Sequence, residues 1–233
     1  MTVGRTQVTR YANGIGTVPD NNILADFGMP DPTEWLIHFD DFYNYSASDW
    51  TITAVGLGTT AQADVDGGAV LVTTSAASGD SRYHQKNGRS FLMKPGKRAF
   101  FKARVALDNV LTSSMLVGLQ LNDTTPKDAT DGIYFFKNST NAIDILCRRD
   151  ASSGSNSVSN IAQMVNNQFI ELSWYYNGEG LLFYAVDGVV RGSMSASAAF
   201  LPDALLSVSF GFETNTVAAR NGTVDYLFAA LER

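Results

Sequence analysis

From Trp35 onward, apolar and polar residues alternate in short runs. LIHFDDF, DWTITAV, GAVLVTTS, SFLMK, RAFFKARVAL and SMLVGLQL come first; GIYFFK, AIDILCRR, FIELSWYY, LLFYAVDGVV, LSVSFGF and TVDYLFAAL follow. A period of two puts every second side chain on one face, so each run predicts a β-strand. The runs recur at roughly 8–12 residues, the spacing of an antiparallel sandwich. Turn dipeptides lie between them: Asp66-Gly67, Asn87-Gly88, Asp131-Gly132, Asn177-Gly178, Asp187-Gly188 and Asn221-Gly222, with Pro95-Gly96 as a further turn signal. Such pairs supply the positive φ that a tight hairpin requires.

Alternation also assigns faces. In RAFFKARVAL the register Phe101, Ala103, Val105, Leu107 is uniformly apolar and is expected to face the core. In FIELSWYY, Ile170, Leu172 and Trp174 are placed inward, with Glu171 and Ser173 on the open face. The expected fold is all-β, a two-sheet antiparallel sandwich. Helix signals reduce to one turn near Pro202 to Leu205, and the polar stretch ASSGSNSVSN, residues 151 to 160, reads as a loop.

Residues 1 to 34 follow neither period. Pro19, Pro30 and Pro32 break the stretch, yet it carries Tyr11, Ile15, Leu24 and Phe27. Spaced apolar anchors on an extended chain predict an arm that lies along another surface, either its own domain or a neighbouring subunit. The expected organisation is an arm over 1–35, with Trp35 as its last anchor, and a sandwich body over 36–233.

Composition narrows the function. The 233 residues are 45% hydrophobic and 17% charged, enough to bury a sizeable core. A net charge of -6 without a cluster of Lys and Arg excludes a nucleic-acid-coating role. Cys147, the only cysteine, rules out an intrachain disulfide and thiolate zinc sites, and reads as a buried strand residue. MTVGRTQVTRYANGIG has no apolar segment of a secretory leader, and no run reaches the roughly 20 apolar residues of a membrane span.

The strand order resembles that of concanavalin A-like, laminin-G-like jelly rolls. The residues that carry the likeness are FDDF, RAFFKARVAL, LVGLQLND leading to TDGIYFFK, the WYYNG and YAVDGVV hairpins, and a closing TVDYLFAAL, over about 38 to 231. The version it resembles most is that of tailed-bacteriophage virion proteins, particularly capsid decoration (cement) and head-associated proteins. The resemblance implies first and last strands side by side, near Phe39 to Phe42 and Val224 to Phe228. It also implies a clamping arm that binds the major capsid protein, with Arg5 and Arg10 pairing to its acids beside the anchors Tyr11, Ile15, Leu24, Phe27 and Trp35. The implied setting is the capsid surface, assembled in the host cytoplasm, as a dimer or trimer.

Candidate chemistry is weighed against that setting. A glycosidase of this fold needs two carboxyls on one side of a cleft. Glu34, Glu171, Glu179, Glu213 and Glu232 each lack an Asp two residues on, and Asp40 and Asp41 point to opposite faces, so the protein is expected not to be an enzyme. The loop from Asn122 to Asp131, with Asp123 and Asp128, offers oxygens to Ca²⁺ but does not match an EF-hand spacing; no cofactor is otherwise expected. His38 and His84 fall in separate strands and make no site. Tyr45, Trp50, Tyr83, Tyr175 and Tyr184 are candidates for stacking on a host glycan, with Tyr175 and Tyr184 singled out. The leading expectation is a capsid-stabilising decoration protein; a lectin-like module is the alternative and a glucanase-like hydrolase the third.

Overall fold

The computed structural model describes residues 32–63, 65, 67–150 and 154–233. Among them, sixteen strands form two eight-stranded antiparallel sheets. The first sheet holds β1 (Trp35–Asp40), β3 (Thr59–Gln62), β4 (Val70–Thr73), β7 (Ala99–Leu107), β12 (Ile170–Tyr176), β13 (Leu181–Val186), β14 (Val189–Ser195) and β16 (Asn221–Glu232). Its order is β14-β13-β12-β7-β16-β4-β3, with β1 pairing β16 beyond the end of β4. The second sheet holds β2 (Trp50–Val55), β5 (Ser81–Lys86), β6 (Phe91–Leu92), β8 (Ser113–Gln120), β9 (Gly132–Lys137), β10 (Ala142–Arg149), β11 (Gly154–Gln163) and β15 (Leu205–Thr214). Its order is β11-β10-β9-β8-β15-β5-β2, with β6 on β15. The first and last strands lie side by side as expected, with Phe39 opposite Phe228.

The core fills the space between the sheets. Phe101, Ala103, Val105 and Leu107 of β7 and Ile170, Leu172 and Trp174 of β12 all face it, as alternation predicts. Trp174 is fully buried, and Phe42, Trp50 and Phe210 pack edge to face nearby. A bulge between Val224 and Tyr226 restores the inward register of β16, so that Val224, Leu227, Ala229 and Leu231 all reach the core. Cys147 is buried in that core, and burial pushes its thiol up to about 12. Lys137 is also fully buried; its Nζ donates to the carbonyls of Val110, Ser113 and Asn138, holding the loop before β8.

Several expectations are corrected. Residues 154–163 form strand β11 rather than a loop. It is an edge strand paired only with β10, so its outward residues meet water and stay polar, while Val158 and Ile161 pack inward. Strand β5, SRYHQK, escapes an apolar-alternation search because its polar side chains are buried on both faces and hydrogen-bonded there. The helical turn lies at 197–201, before the expected Pro202 to Leu205, and Pro202 ends it. Asp131-Gly132 and Asn221-Gly222 are not hairpin turns. Gly132 opens β9 where a Cβ would meet the Leu119 carbonyl at 2.7 Å, and Gly222 lies in β16 under the Phe212 ring. Asn177-Gly178, Asp187-Gly188, Asn87-Gly88 and Pro95-Gly96 do turn, with positive φ at each glycine.

Trp35 belongs to β1, packed 5.4 Å from Phe100 and beneath the Arg98 guanidinium on the outer face of the first sheet. The other arm residues named above, Arg5, Arg10, Tyr11, Ile15, Leu24 and Phe27, lie outside the described residues, as does Asp66. No helix among the described residues is long and apolar enough to cross a membrane.

Candidate functional site

The outer face of the second sheet carries the densest polar chemistry beside open space. Its centre is β15, where Val208, Phe210 and Phe212 point into the core and Ser207, Ser209, Gly211 and Glu213 point out. The small outward residues leave room for large neighbours. Tyr83 on β5 lies opposite Gly211, and Tyr134 on β9 lies opposite Gly118. A Cβ on Gly211 would sit 2.1 Å from Tyr83 Cδ1, so the ring occupies the space of the missing side chain.

Residues 121–131 cross over this face and are tied to it by two buried glutamines. Gln120 Nε2 donates to the Pro126 carbonyl at 2.8 Å. Gln85 Nε2 donates to the Leu121 carbonyl at 3.3 Å and its Oε1 accepts from Asp123 N–H at 3.2 Å. A single 3-10 turn, Pro126–Asp128, forms the crest and puts Lys127 and Asp128 between two clefts. One, of about 270 Å³, is lined by Tyr83, Thr124, Thr125, Lys127, Asp128 and Glu213 beside Thr53, Val55 and Ser81. The other, of about 410 Å³, is lined by Lys127, Asp128, Tyr134, Phe136, Leu146, Arg148 and Ser155.

Lys127 and Glu213 link the two. Lys127 Nζ donates to both Glu213 oxygens, at 2.8 and 2.9 Å, and the Tyr83 hydroxyl donates to Glu213 at 3.3 Å. Burial, and then the Glu213 charge, push the Tyr83 pKa well above the ordinary phenol value, so Tyr83 remains a donor at neutral pH. Tyr134 is raised as well, by burial, while Arg148, donating to its hydroxyl at 3.2 Å, works in the opposite direction. In the larger cleft Phe136 and Leu146 are half-buried and give an apolar floor. The arrangement supplies a flat apolar contact, two cations and two carboxylates, Glu213 and Asp128, brought from different elements to one crest.

The tyrosines singled out from sequence do not join this site. Tyr184 lies on the core side of β13, opposite Trp174 and only 8% exposed, so it presents no ring to a ligand. Tyr175 is on the outer face of the first sheet but buried at 5%, between Phe100 and Phe183. Trp50 is in the core, and Tyr45 packs against His84. Glu171 is on that first-sheet outer face, held by Lys102 at 2.8 Å and by the Tyr226 hydroxyl at 2.5 Å. His38 lies on β1 of the first sheet and His84 on β5 of the second; burial lowers both pKa values, His84 to about 3. Of the oxygens offered for calcium, Asp123 accepts from Thr125 and Asp131 from Thr130, while Asp128 faces the clefts. No group of three or more His, Cys, Asp or Glu side chains that would hold a metal occurs among the described residues. Of the cleft residues, Tyr83 was among the sequence candidates for stacking, whereas Lys127, Glu213, Arg148 and Phe136 were missed as site residues. The available signal was the small outward stripe Ser207, Ser209, Gly211 beside Glu213 on an otherwise aromatic strand.

No protein-family model matches the chain, and no curated protein sequence matches it. Solved structures do. An endo-1,3-beta-glucanase from Streptomyces sioyaensis superposes with a TM-score of 0.61 at 13% identity, over 88% of this chain and 99% of that one. An endo-beta-1,4-glucuronan lyase from the fungus Trichoderma reesei gives 0.55 at 12% identity, over 82% and 94%. Botulinum neurotoxin type C, whose cell entry depends upon interaction with two ganglioside molecules, gives 0.55 at 9% identity, over 84% of this chain and 47% of that one. At these identities the likeness establishes the fold: a jelly-roll sandwich of the concanavalin A-like kind, shared with carbohydrate-active enzymes and glycan-binding domains.

The expectation that the protein is not an enzyme is corrected here. Two of these similar structures are enzymes that act on polysaccharide. An acid pair along one strand is absent from the sequence. Glu213 of β15 and Asp128 of the crest come from different elements and line one cleft only because the loop crosses the sheet.

Proposed function

We propose that this protein is directed at carbohydrate and holds saccharide in the paired clefts on the outer face of the second sheet. The observation that carries the reading is the larger cleft, where Phe136 and Leu146 form an apolar floor rimmed by Lys127, Asp128 and Arg148. A pyranose has an apolar C–H face and an edge of hydroxyls; the floor suits the first and the charged rim suits the second. Its 410 Å³ falls within the roughly 300–1,000 Å³ of small-ligand sites. The likeness to a glucanase, a glucuronan lyase and a ganglioside-dependent toxin supports carbohydrate as the ligand class. Calorimetric titration with oligosaccharides of β-glucan and glucuronan is the test. Phe136→Ala should weaken binding by roughly tenfold, the loss of one stacked aromatic contact; an unchanged affinity would remove the cleft from consideration.

Cleavage in the smaller of the paired clefts is the second reading, favoured by Glu213 and Asp128 beside Lys127. Hydrolysis of a glycosidic bond needs one carboxyl to protonate the leaving oxygen and another to act as base or nucleophile. Release of reducing ends that Glu213→Gln abolishes, with saccharide binding retained, would support it. The virion setting suggested by the sequence resemblance is compatible with either: the arm would anchor the protein to a capsid while the clefts face a host-surface saccharide. Copurification with assembled particles, lost on deleting residues 1–34, tests that setting.

A further inference from the structure

A different part of the molecule concentrates positive charge in a chain whose net charge is -6. Where β1, β6 and the end of β16 meet, a pocket of about 250 Å³ opens on the rim of the sandwich. Its floor is apolar, formed by Leu36, Leu92 and Leu231, and its rim carries Lys94, Lys97 and Arg233. The two lysines are set by a single turn. Lys97 N–H donates to the Lys94 carbonyl at 3.2 Å across Pro95-Gly96, and Gly96 N–H donates to the Gly178 carbonyl at 2.7 Å, so both ends of the turn are fixed.

The acid that lines this pocket is already engaged. Glu232 takes a forked pair from Arg98, at 3.1 and 2.9 Å, together with the Arg98 backbone N–H at 3.0 Å. Among the described residues, Lys94, Lys97 and Arg233 make no ion pair, and Arg89 lies in the strand-to-strand segment just before Ser90. Glu34, whose carbonyl accepts from Arg233 N–H, is the remaining acid close by. Three cations that form no ion pair among the described residues, set over leucines, make a poor place for a neutral or cationic ligand and a favourable one for an anion with an apolar face.

We infer that this pocket is a second saccharide site, one that takes an anionic sugar unit, a uronate or a sulfated sugar, with the ring on the leucines and the acid group between Lys94, Lys97 and Arg233. It stands on its own residues and does not depend on the clefts across the molecule. The full chain is titrated at low ionic strength with trigalacturonate, a dextran sulfate oligomer, a neutral dextran oligomer and sodium sulfate. The anionic oligosaccharides should bind more tightly than the neutral one, and added salt should weaken that preference by screening. A Lys94→Gln/Lys97→Gln variant should lose about tenfold in affinity, two exposed charge contacts' worth, while Arg191→Gln, which removes an exposed cation of β14 outside the pocket, binds as the parent does. The proposal is overturned if the double variant binds equally well, or if sodium sulfate displaces the oligosaccharide at equal charge. It is equally overturned if Arg191→Gln weakens the binding as much, which would make the loss a response to overall charge and not to the pocket.

Discussion

His84 shows how the tertiary setting rewrites the chemistry of one residue. Its ring stacks on Phe210 at 4.5 Å, its Nε2 meets Thr60 Oγ1 at 2.9 Å, and burial, aided by the Arg82 charge, lowers its pKa from 6.5 to about 3. The folded protein keeps this ring neutral, whereas the unfolded chain takes up a proton below 6.5. Between those values the unfolded state binds more protons, so stability falls as pH drops through the window and is intact above it. Each pH unit in the window removes up to about 1.4 kcal/mol. From pH 6.5 to pH 5, His84 should account for about 2 kcal/mol of acid destabilisation. Urea unfolding of the parent and of His84→Gln at pH 7 and pH 5 measures the difference; equal losses in the two proteins would show that the buried ring is not its source. As a residue in SRYHQK, His84 reads as one more polar side chain. Nothing local announces that β2 and β3 will close over it.

At the scale of elements, the legible strands are those whose two faces differ in polarity along the sequence. RAFFKARVAL and FIELSWYY show their inward registers plainly because the other register is polar enough to contrast. β5 hides because its own side chains are mostly polar yet buried on both faces, and β11 hides because an edge strand needs few apolar residues. The clefts depend on a similar relation between strands: Gly211 of β15 is empty so that Tyr83 of β5 fits over it. Gly211→Ala should push the Tyr83 ring outward and separate the pair, at a cost of roughly 1–3 kcal/mol. It should also disturb the hydroxyl that reaches Glu213. Chemical denaturation measures the first effect and saccharide titration the second. An alanine variant as stable as the parent would mean that the ring relaxes into other space.

At the scale of the whole molecule, one apolar cluster takes residues from both sheets, from Val70 and Phe101 on one side to Phe135 and Phe210 on the other. Neither sheet can expose its inner face without opening the other, so unfolding should be a single cooperative transition. Far-ultraviolet and near-ultraviolet dichroism should give coincident melting curves, and Trp174→Ala, which empties a fully buried site, should move both together by about 3–5 kcal/mol. Separate transitions would mean that the sheets are independent units. The fold class, the facing of the main strands and the burial of Trp174 follow from the sequence alone. They depend on period, turn chemistry and apolar contrast, all of which act between residues near in the chain or on one strand. The clefts and the basic pocket were decided by tertiary structure. Lys127 meets Glu213 across 86 positions, and Lys94 lines one pocket with Arg233. A charge or carboxylate acquires a role only from neighbours that the sheet order delivers, and no local pattern encodes that order.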